Sequence, residues 1–297
     1  MTAVPAAGPP LACVVLAHDD PPQVRRLVEA LDPFPVFLHC DAATPEPVFR
    51  AMVEGLPARC RLLERRRTRW ATWDGVEVEL DGYRRALSLP HVTHVALLSG
   101  SDYPLASSST VSDFVRTHPG SSFAEHHSLP FPGWGVAGGM HRLRFAHTSW
   151  RRKMLRLPVP RRLPEDVAFH GGSAYKVLAR EHVEALLRVV DDEPGLVRFW
   201  RRAWAPDESF IPSVLNTPRL VPGYAASSTS LALWYIGWGA ERRKSPPWLT
   251  LADMPALRRA RGGQLTGHPM FFARKLSTSG SFGLPDAIDR ELRAADR

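Results

Sequence analysis

The amino-acid sequence predicts an α/β fold in which a mostly parallel central sheet is flanked by helices. Two observations lead to this prediction. Short apolar runs of strand length alternate with longer segments of helical periodicity through the first third of the chain. Polar clusters directly follow three of these runs, as ligand-binding loops do at the carboxyl ends of parallel strands. Such alternation is typical of parallel sheets, because each pair of parallel strands needs a crossover connection.

The first strand and the first helix have the clearest patterns. Residues 11–17 form a continuous apolar run, which predicts a strand that is buried on both faces. Apolar residues then recur with helical spacing at Val24, Leu27, Val28 and Leu31. Pro22 precedes them and suits the first helical position, because that position has no intrahelical partner for an N–H group.

The remaining elements follow from the same patterns. Strands are predicted at 35–39, 61–64 and 94–98, and helices at 45–54, 76–87, 180–190 and 196–204. The stretch 126–170 is less regular and contains Pro, Gly and a run of basic residues. Asp207 follows Pro206 and is interpreted as the N-cap of a further helix that continues through Val214.

The chain is expected to form one domain after a short tail. Residues 1–10 are rich in Pro and Ala and are expected to be disordered. No internal repeat or convincing linker divides residues 11–297, so we expect them to form a single domain.

Composition indicates a soluble globular protein, with 44% hydrophobic and 23% charged residues. The net charge of +8 fits an anionic partner such as a nucleotide diphosphate, a nucleic acid or an acidic membrane surface. Nucleic-acid binding is the less favoured alternative, because no recognised fold signature accompanies the basic runs at 65–67 and 151–153. No apolar run is long enough to span a bilayer, so we expect a cytoplasmic protein that is at most peripheral to a membrane.

Several patterns that could suggest a metal or a dinucleotide do not hold up. The three cysteines (Cys13, Cys40 and Cys60) form no CxxC pair, which predicts a reducing compartment without disulfides or structural zinc. His126, His127 and His170 lack partners at ligand spacing. Residues 133–138 match GxGxxG, but they follow a Pro-Phe-Pro sequence rather than a strand. We therefore expect neither a metal site nor a dinucleotide site.

Polar residues mark the candidate site. His18, Asp41 and the Ser-Gly-Ser-Asp sequence at 99–102 each follow a predicted strand, so they should meet at one edge of the sheet unless they are ordinary polar loops. Glu208 follows Asp207 at a helix start. It is either a functional carboxylate or an acid favoured there by the helix dipole, and the sequence pattern leaves both readings open.

Seven segments resemble the core-2/I-branching glycosyltransferase family, which includes the peptide O-xylosyltransferases. The segments occur in the family's order at 18–21, 37–41, 73–75, 97–105, 172–181, 206–208 and 272–275. The third segment departs from the family pattern, because Asp74 stands where the family tends to have glycine. Any one segment is weak evidence, whereas seven in register are specific.

The resemblance implies a GT-A-type fold and an inverting transfer of sugar from a nucleotide donor without a metal cofactor. Consistent with this, the chain contains no Asp-x-Asp sequence. Inversion requires a base for the acceptor hydroxyl and positive charge for the departing diphosphate. The resemblance assigns Glu208 as that base and Lys275, with its neighbour Arg274, to the donor diphosphate. It favours Lys244 as a second cation, although 242–244 could equally be a solvated basic turn.

The remaining site residues are also implied by the resemblance. His18 and Asp41 would lie near the nucleotide base and ribose, and Trp238 would contact the acceptor. Asp102 would contact the acceptor or the donor sugar, and Ser173 either the acceptor or nothing if it only shapes a turn.

Substrate identity stays open at this stage. The expected donor is a UDP-sugar carrying N-acetylglucosamine, xylose or a similar sugar. The expected acceptor is a glycan, a glycoconjugate or a small molecule. A catalytically inactive relative that only binds a nucleotide sugar is the other alternative.

Overall fold

The computed structural model describes residues 8–150, 153–239 and 245–296. Its strands are β1 (Leu11–Ala17), β2 (Val36–Cys40), β3 (Cys60–Leu62), β4 (His94–Ser99), β5 (Asp102–Pro104), β6 (Ser122–Ser128), β7 (Phe145–Trp150), β8 (Lys153–Pro160), β9 (His170–Ala179), β10 (Ser228–Thr229), β11 (Trp234–Ile236) and β12 (Phe272–Arg274). Its α-helices are α1 (Pro21–Ala30), α2 (Glu46–Val53), α3 (Trp73–Leu87), α4 (Ser108–Thr117), α5 (His141–Arg144), α6 (Arg180–Asp192), α7 (Pro194–Trp200), α8 (Phe210–Leu215), α9 (Tyr224–Ser227), α10 (Met254–Arg261) and α11 (Leu284–Ile288).

A mostly parallel sheet forms the centre of the fold. Within the described residues it has seven strands in the order β10-β6-β9-β4-β1-β2-β3. Strand β9 runs antiparallel to both of its neighbours, β4 and β6, and the other neighbouring pairs are parallel. The predicted α/β class with a mostly parallel, helix-flanked sheet is therefore confirmed.

Helices cover both faces of β1, because successive side chains of a strand point to opposite sides. Val14 packs with Tyr83 of α3 on one face, and Val15 packs with Leu27 of α1 on the other. Each side chain of this size that is fully buried contributes about 1.5–3 kcal/mol to folding. Helix α3 lies so close to β1 that a Cβ at Gly82 would stand 2.4 Å from Val14 Cγ1, so only glycine fits there.

Short-range polar contacts cap the starts of α1 and α3. The side chain of Asp20 accepts a hydrogen bond from the Gln23 amide at 3.4 Å and caps α1. Thr72 caps α3 in the same way through the Asp74 amide. Such a cap contributes about 1 kcal/mol, because it satisfies an N–H that has no partner within the helix.

Most predicted elements are confirmed, with ends that differ by up to four residues. The helix predicted at 196–204 lies instead at Pro194–Trp200. The stretch 126–170, expected to be irregular, contains the end of β6 and a hairpin made of β7 and β8. Local periodicity did not reveal the hairpin because β8 is exposed along nearly its whole length and shows no buried face.

Part of the expected tail is fixed against the start of β4. Residues 1–7 of the expected tail lie outside the described residues, but Pro10 is buried and accepts hydrogen bonds from the Thr93 and His94 amides at 2.8 and 3.0 Å. The expectation that residues through 10 are disordered is therefore wrong for Pro10. Within the described chain, no helix has the length and apolarity needed to cross a bilayer.

A second, three-stranded sheet stands beside the main one, with the order β11-β12-β5 among the described residues. Strands β12 and β5 are antiparallel, and their register places Asp102 opposite Arg274. This pairing joins the loop after β4 to the C-terminal part of the chain.

Candidate active site

Two adjoining cavities lie at the edge of the main sheet where β1, β2 and β4 end. The strand-end cavity, of about 540 Å³, is lined by His18, Asp41 and the segment 68–72. The aromatic cavity, of about 420 Å³, is lined by side chains that include Tyr175 and Trp238. Trp70 and Asp207 line both cavities. The ends of parallel strands are where α/β folds bind ligands, so this pair of cavities is the candidate site.

A larger cleft of about 1190 Å³ lies elsewhere, between α1, the start of α4 and the C-terminal segment. Its lining carries four arginines and four carboxylates, and among them Arg26 and Arg293 both form ion pairs with Asp289, at 3.0 and 2.6 Å. Because these charges neutralise one another, the cleft is a weaker candidate despite its size.

Asp41 is positioned by the loops that it ties together. Its Oδ1 accepts a hydrogen bond from the Ala43 amide at 2.6 Å, and its Oδ2 accepts from the amide and hydroxyl of Thr68. Burial raises the pKa of this carboxyl, but the hydrogen bonds from Thr68 and Ala43 outweigh it and hold the pKa below its usual value. Asp41 and the exposed His18 both line the strand-end cavity, as their shared place at the sheet edge predicts.

Asp207 lies at the junction of the two cavities and does not cap a helix. Pro206–Glu208 forms a 3₁₀ turn, and Ser209 stands at the start of α8, so the predicted cap is wrong. The physical reason is Ala205, whose φ of 49° turns the chain before the helix can begin. Oδ1 of Asp207 is buried without a hydrogen-bond partner among the described residues. Burial, together with the neighbouring Glu208, raises the pKa of Asp207 to about 7.

Glu208 lines the aromatic cavity and is held by an arginine that sequence reasoning missed. Its carboxylate forms an ion pair with Arg142, which lies 66 residues earlier in the chain. The guanidinium of Arg142 lies 4.2 Å from the ring centroid of Trp134 and 5.3 Å from that of Trp204. Glu208 remains partly exposed, so its carboxylate is both anchored and accessible from the cavity. No sequence spacing could have indicated this pairing.

The floor of the aromatic cavity depends on glycines of β9. A Cβ at Gly171 would stand 2.2 Å from the Trp134 ring, and one at Gly172 would stand 1.9 Å from the Glu125 carbonyl oxygen. Both positions therefore require glycine. Ser173 follows on the same strand rather than in a turn, and its side chain lines the cavity while accepting a hydrogen bond from the Tyr175 amide.

Asp102 is fully buried and committed to protein partners, which argues against the predicted contact with acceptor or donor sugar. Its carboxylate pairs with Arg274 at 2.9 Å and accepts hydrogen bonds from Ser99 and from the Trp234 indole. The pair orients Arg274, which lies over the Tyr175 ring and lines the aromatic cavity. A buried charge needs such a partner, because an isolated one loses its hydration.

Lys275 lies one residue beyond the aromatic cavity. Its Nζ donates a hydrogen bond to Ser245 Oγ at 2.9 Å and lies 4.0 Å from the ring centroid of Trp248. Ser245 lines the cavity, whereas Lys275 is not among the cavity-lining residues. Burial, with a further contribution from Arg274, lowers the pKa of Lys275. Lys244, the other predicted cation, lies outside the described residues.

Aromatic side chains make up much of the remaining lining of the aromatic cavity. Trp238 lines the cavity with about half of its surface exposed. Phe131 and Trp134 line it as well, and His127 stacks on Phe131 with ring centroids 4.0 Å apart. Sequence reasoning misses Phe131 and Trp134 as site residues, because they lie in or beside residues 133–138, which match a dinucleotide motif without its structural context, and it weighs His127 only as a metal ligand.

A buried ion pair joins β9, which lines the aromatic cavity, to helix α3. Nζ of Lys176, on β9, lies 2.8 Å from Glu79 Oε1 of α3, and both side chains are buried. Tyr83 donates a hydrogen bond to the same carboxylate oxygen at 2.6 Å. Removing either partner would leave an unpaired buried charge, so the pair fixes β9 against α3.

A metal centre is not evident from the side chains. Among the described residues, no three His, Cys, Asp or Glu side chains come together closely enough to hold a metal ion. His126 and His170 do meet, with their Nδ1 atoms 3.2 Å apart, but they form only a pair.

Comparison with known proteins places these residues in context. Residues 11–257 match the family model described as Core-2/I-Branching enzyme. The xylosyltransferase oxt of Drosophila melanogaster is 25% identical over 147 residues, which cover 48% of this chain and 16% of the relative. A solved Bacillus anthracis structure, described as a glucose-1-phosphate thymidylyltransferase in complex with sucrose, aligns with a TM-score of 0.32 and 7% identity over 60% of this chain and 75% of that one. A TM-score this low does not establish a shared fold.

Proposed function

The chain belongs to the Core-2/I-branching enzyme family, and from this premise we propose that it transfers a sugar from a UDP-sugar to an acceptor hydroxyl with inversion and without a metal ion. The observation that carries the proposal is the junction of the two cavities at Asp207, beside the anchored carboxylate of Glu208. A transferase needs such a junction, because the sugar must bridge a donor compartment and an acceptor compartment. We further propose a GT-A-type architecture in which residues 11–297 form one catalytic domain.

The donor nucleoside fits the strand-end cavity, and its diphosphate would extend past the junction to Arg274 and Lys275 at the aromatic cavity. His18 and Asp41 would meet the uracil and ribose at the ends of β1 and β2. The transferred sugar would lie next to Trp70 and Asp207, which both cavities share. N-acetylglucosamine, xylose and similar sugars remain the candidates for the transferred sugar.

The acceptor fits the aromatic cavity. Indole and phenyl faces pack well against the apolar faces of sugar rings, and Trp238 and Trp134 offer two such faces. Ser173 adds a hydroxyl to the same lining. A glycan, a glycoconjugate or a small hydroxylated molecule would suit this lining.

The chemical step needs a base and a cationic leaving-group site. Glu208 would take the proton from the acceptor hydroxyl as its oxygen attacks the anomeric carbon. The bond from that carbon to the diphosphate oxygen breaks, and UDP leaves with the electron pair. Arg142 would hold the carboxylate aimed at the cavity through their ion pair.

Protein cations would replace a metal at the diphosphate. Arg274 faces the aromatic cavity, and Lys275 hydrogen-bonds to Ser245 on its wall. Lys275 could turn from Ser245 to a phosphate oxygen, and Lys244 is the proposed second lysine. Asp102 is the one carboxylate of the Ser-Gly-Ser-Asp sequence after β4, and it forms an ion pair with Arg274 instead of facing a metal ion. A single carboxylate is in any case a poor site for a divalent metal ion.

The test is a donor screen with EDTA present throughout. The wild-type protein is incubated with a panel of UDP-sugars and mixed glycan acceptors, and released UDP and new glycoside are measured together. We expect turnover with one or a few donors, and Glu208→Gln should serve as the inactive control. UDP-sugar binding without turnover on any acceptor would instead indicate an inactive relative.

A further inference from the structure

The hairpin of β7 and β8 carries a row of partly exposed apolar side chains. Leu155, Leu157 and Val159 occupy every second position of β8, whose register with β7 shifts between Arg156 and Pro160. They are 43%, 37% and 50% exposed. Trp150 lies at the end of β7 opposite Lys153 and is 63% exposed. Soluble proteins rarely leave a contiguous apolar row of this kind uncovered unless it contacts something.

The excess positive charge of the protein is concentrated in the same segment. Residues 141–164 contain eight Lys and Arg and no Asp or Glu, whereas the rest of the chain contains thirty of each sign. The net charge of +8 is therefore the charge of this segment. Arg142 forms an ion pair with Glu208, and Arg162 forms one with Glu165. Within the described residues, neither Lys153 nor Arg156 forms an ion pair with a carboxylate.

An anionic lipid surface is the partner that satisfies both features. Aliphatic side chains and a tryptophan that flank Lys and Arg are the composition of segments that lie in a membrane interface. The cations attract acidic headgroups, and the apolar row enters the boundary with the acyl chains. A nucleic acid would use the cations but would gain little from Leu155, Leu157 and Val159. A second copy of the chain would bring two segments of like charge together.

From this combination we propose that the β7–β8 hairpin docks the protein onto anionic lipid membranes. The hairpin also adjoins the candidate site, because Met154 and His147 share a small cavity with Arg69 and Thr72, which line the strand-end cavity. Docking through the hairpin holds that cavity beside the lipid surface. The inference stands on the exposed apolar row and the charge, and it does not depend on the proposed transfer reaction.

Vesicle flotation tests the proposal with the full chain. Vesicles of phosphatidylcholine are compared with vesicles that contain about 30% phosphatidylglycerol, at low and high salt. We expect the wild-type protein to partition into the anionic vesicles at least about tenfold more strongly, and salt should weaken the partition. The triple variant Leu155→Ser, Leu157→Ser, Val159→Ser should lose about tenfold or more.

Matched controls separate the apolar row from general hydrophobicity and from misfolding. Leu251→Ser, Leu265→Ser, Phe282→Ser removes three exposed apolar side chains elsewhere and should bind vesicles like the wild type. Lys153→Glu with Arg156→Glu keeps the apolar row and should also lose binding to anionic vesicles. Unchanged melting temperatures confirm that the variants fold. Equal partition of wild-type and hairpin variants, or no partition of the wild type, overturns the proposal. So does a hairpin-dependent dimer, or hairpin-dependent DNA binding, in a protein that ignores vesicles.

Discussion

The guanidinium of Arg142 forms an ion pair with the carboxylate of Glu208 and lies at the same time over the ring of Trp134. This arrangement connects the short helix α5 to the turn that carries the proposed base. The arginine is partly buried, and its own position is limited by the two indoles around it, Trp134 and Trp204. Because Arg142 is held in place, its ion pair limits the orientations that the Glu208 carboxylate can adopt.

Removing Arg142 should impair turnover more than donor binding. In Arg142→Ala we expect kcat to fall about ten- to hundredfold, because a small displacement of a positioned group is enough for such a loss. The KM for the donor should change little, and Arg142→Lys should restore part of the rate. Steady-state kinetics separate the two parameters. Arg144→Ala, on the same helix but exposed, should behave like the wild type. A large change in donor KM with unchanged kcat would contradict the positioning role.

Replacing the proposed base should abolish transfer while the nucleotide still binds. For Glu208→Gln we expect a loss of about 10² to 10⁴ in rate, the range attributed to general-base catalysis. UDP affinity, measured by calorimetry, should stay close to that of the wild type. Glu184→Gln changes an exposed carboxylate on α6 and is the matched control. An active Glu208→Gln protein would rule out the assignment.

Asp207 should make the folded protein less stable as pH rises. Its pKa is about 7 in the folded state against an ordinary value of 3.8, so folding takes up a proton between these two values. Stability then falls through that window by at most about 1.4 kcal/mol per pH unit, and the loss is complete above the folded pKa. Asp207→Asn cannot ionise. Its stability relative to the wild type should rise from about pH 4 to about pH 7 and then level off.

Melting curves of both proteins across this range measure the effect. The difference between variant and wild type is the informative quantity, since it cancels groups that titrate in both. Asp192→Asn removes an exposed carboxylate and should give a constant difference. Parallel curves for Asp207→Asn and wild type would show that Asp207 ionises normally.

Lys275 should contribute to binding of the diphosphate. Lys275→Ala is expected to weaken UDP binding about tenfold, which corresponds to about 1.4 kcal/mol and lies near the range of one charge-assisted hydrogen bond. Binding of uridine, which lacks phosphate, should be unchanged. Lys153→Ala removes a lysine of the hairpin and is the control. Equal UDP affinities for Lys275→Ala and wild type would remove Lys275 from the donor site.

Chelation should leave the reaction unaffected. If protein cations neutralise the leaving diphosphate, the initial rate with EDTA should match the rate with added manganese. The same assay on a metal-dependent glycosyltransferase verifies that the chelator is effective. Loss of activity in EDTA that manganese restores would overturn the metal-free mechanism.

The local elements could be predicted because they depend on neighbours in the chain. Residues 11–17 form a buried strand since every side chain in the run is apolar, and α1 begins at a proline that the preceding Asp20 caps. The meeting of His18 and Asp41 in one cavity also followed from sequence, because parallel strands end at the same sheet edge. In contrast, the prediction that Asp207 caps a helix is wrong. It rested on local sequence, whereas the left-handed φ of Ala205 starts a 3₁₀ turn at Pro206–Glu208 instead.

Only the tertiary structure decided which distant segments of the chain contact each other. Arg142 and Glu208 are 66 residues apart, and Asp102 and Arg274 are 172 residues apart. Neither pair has a spacing that periodicity could reveal, because strand order and the second sheet bring the partners together. The sequence by itself determined strands β1 to β4, the helices α1, α2, α3, α6 and α7, and the family's motifs, since these depend on local side-chain preference. It could not determine whether a carboxylate such as Asp102 faces a ligand or a buried arginine, because that depends on which distant charge the fold places beside it.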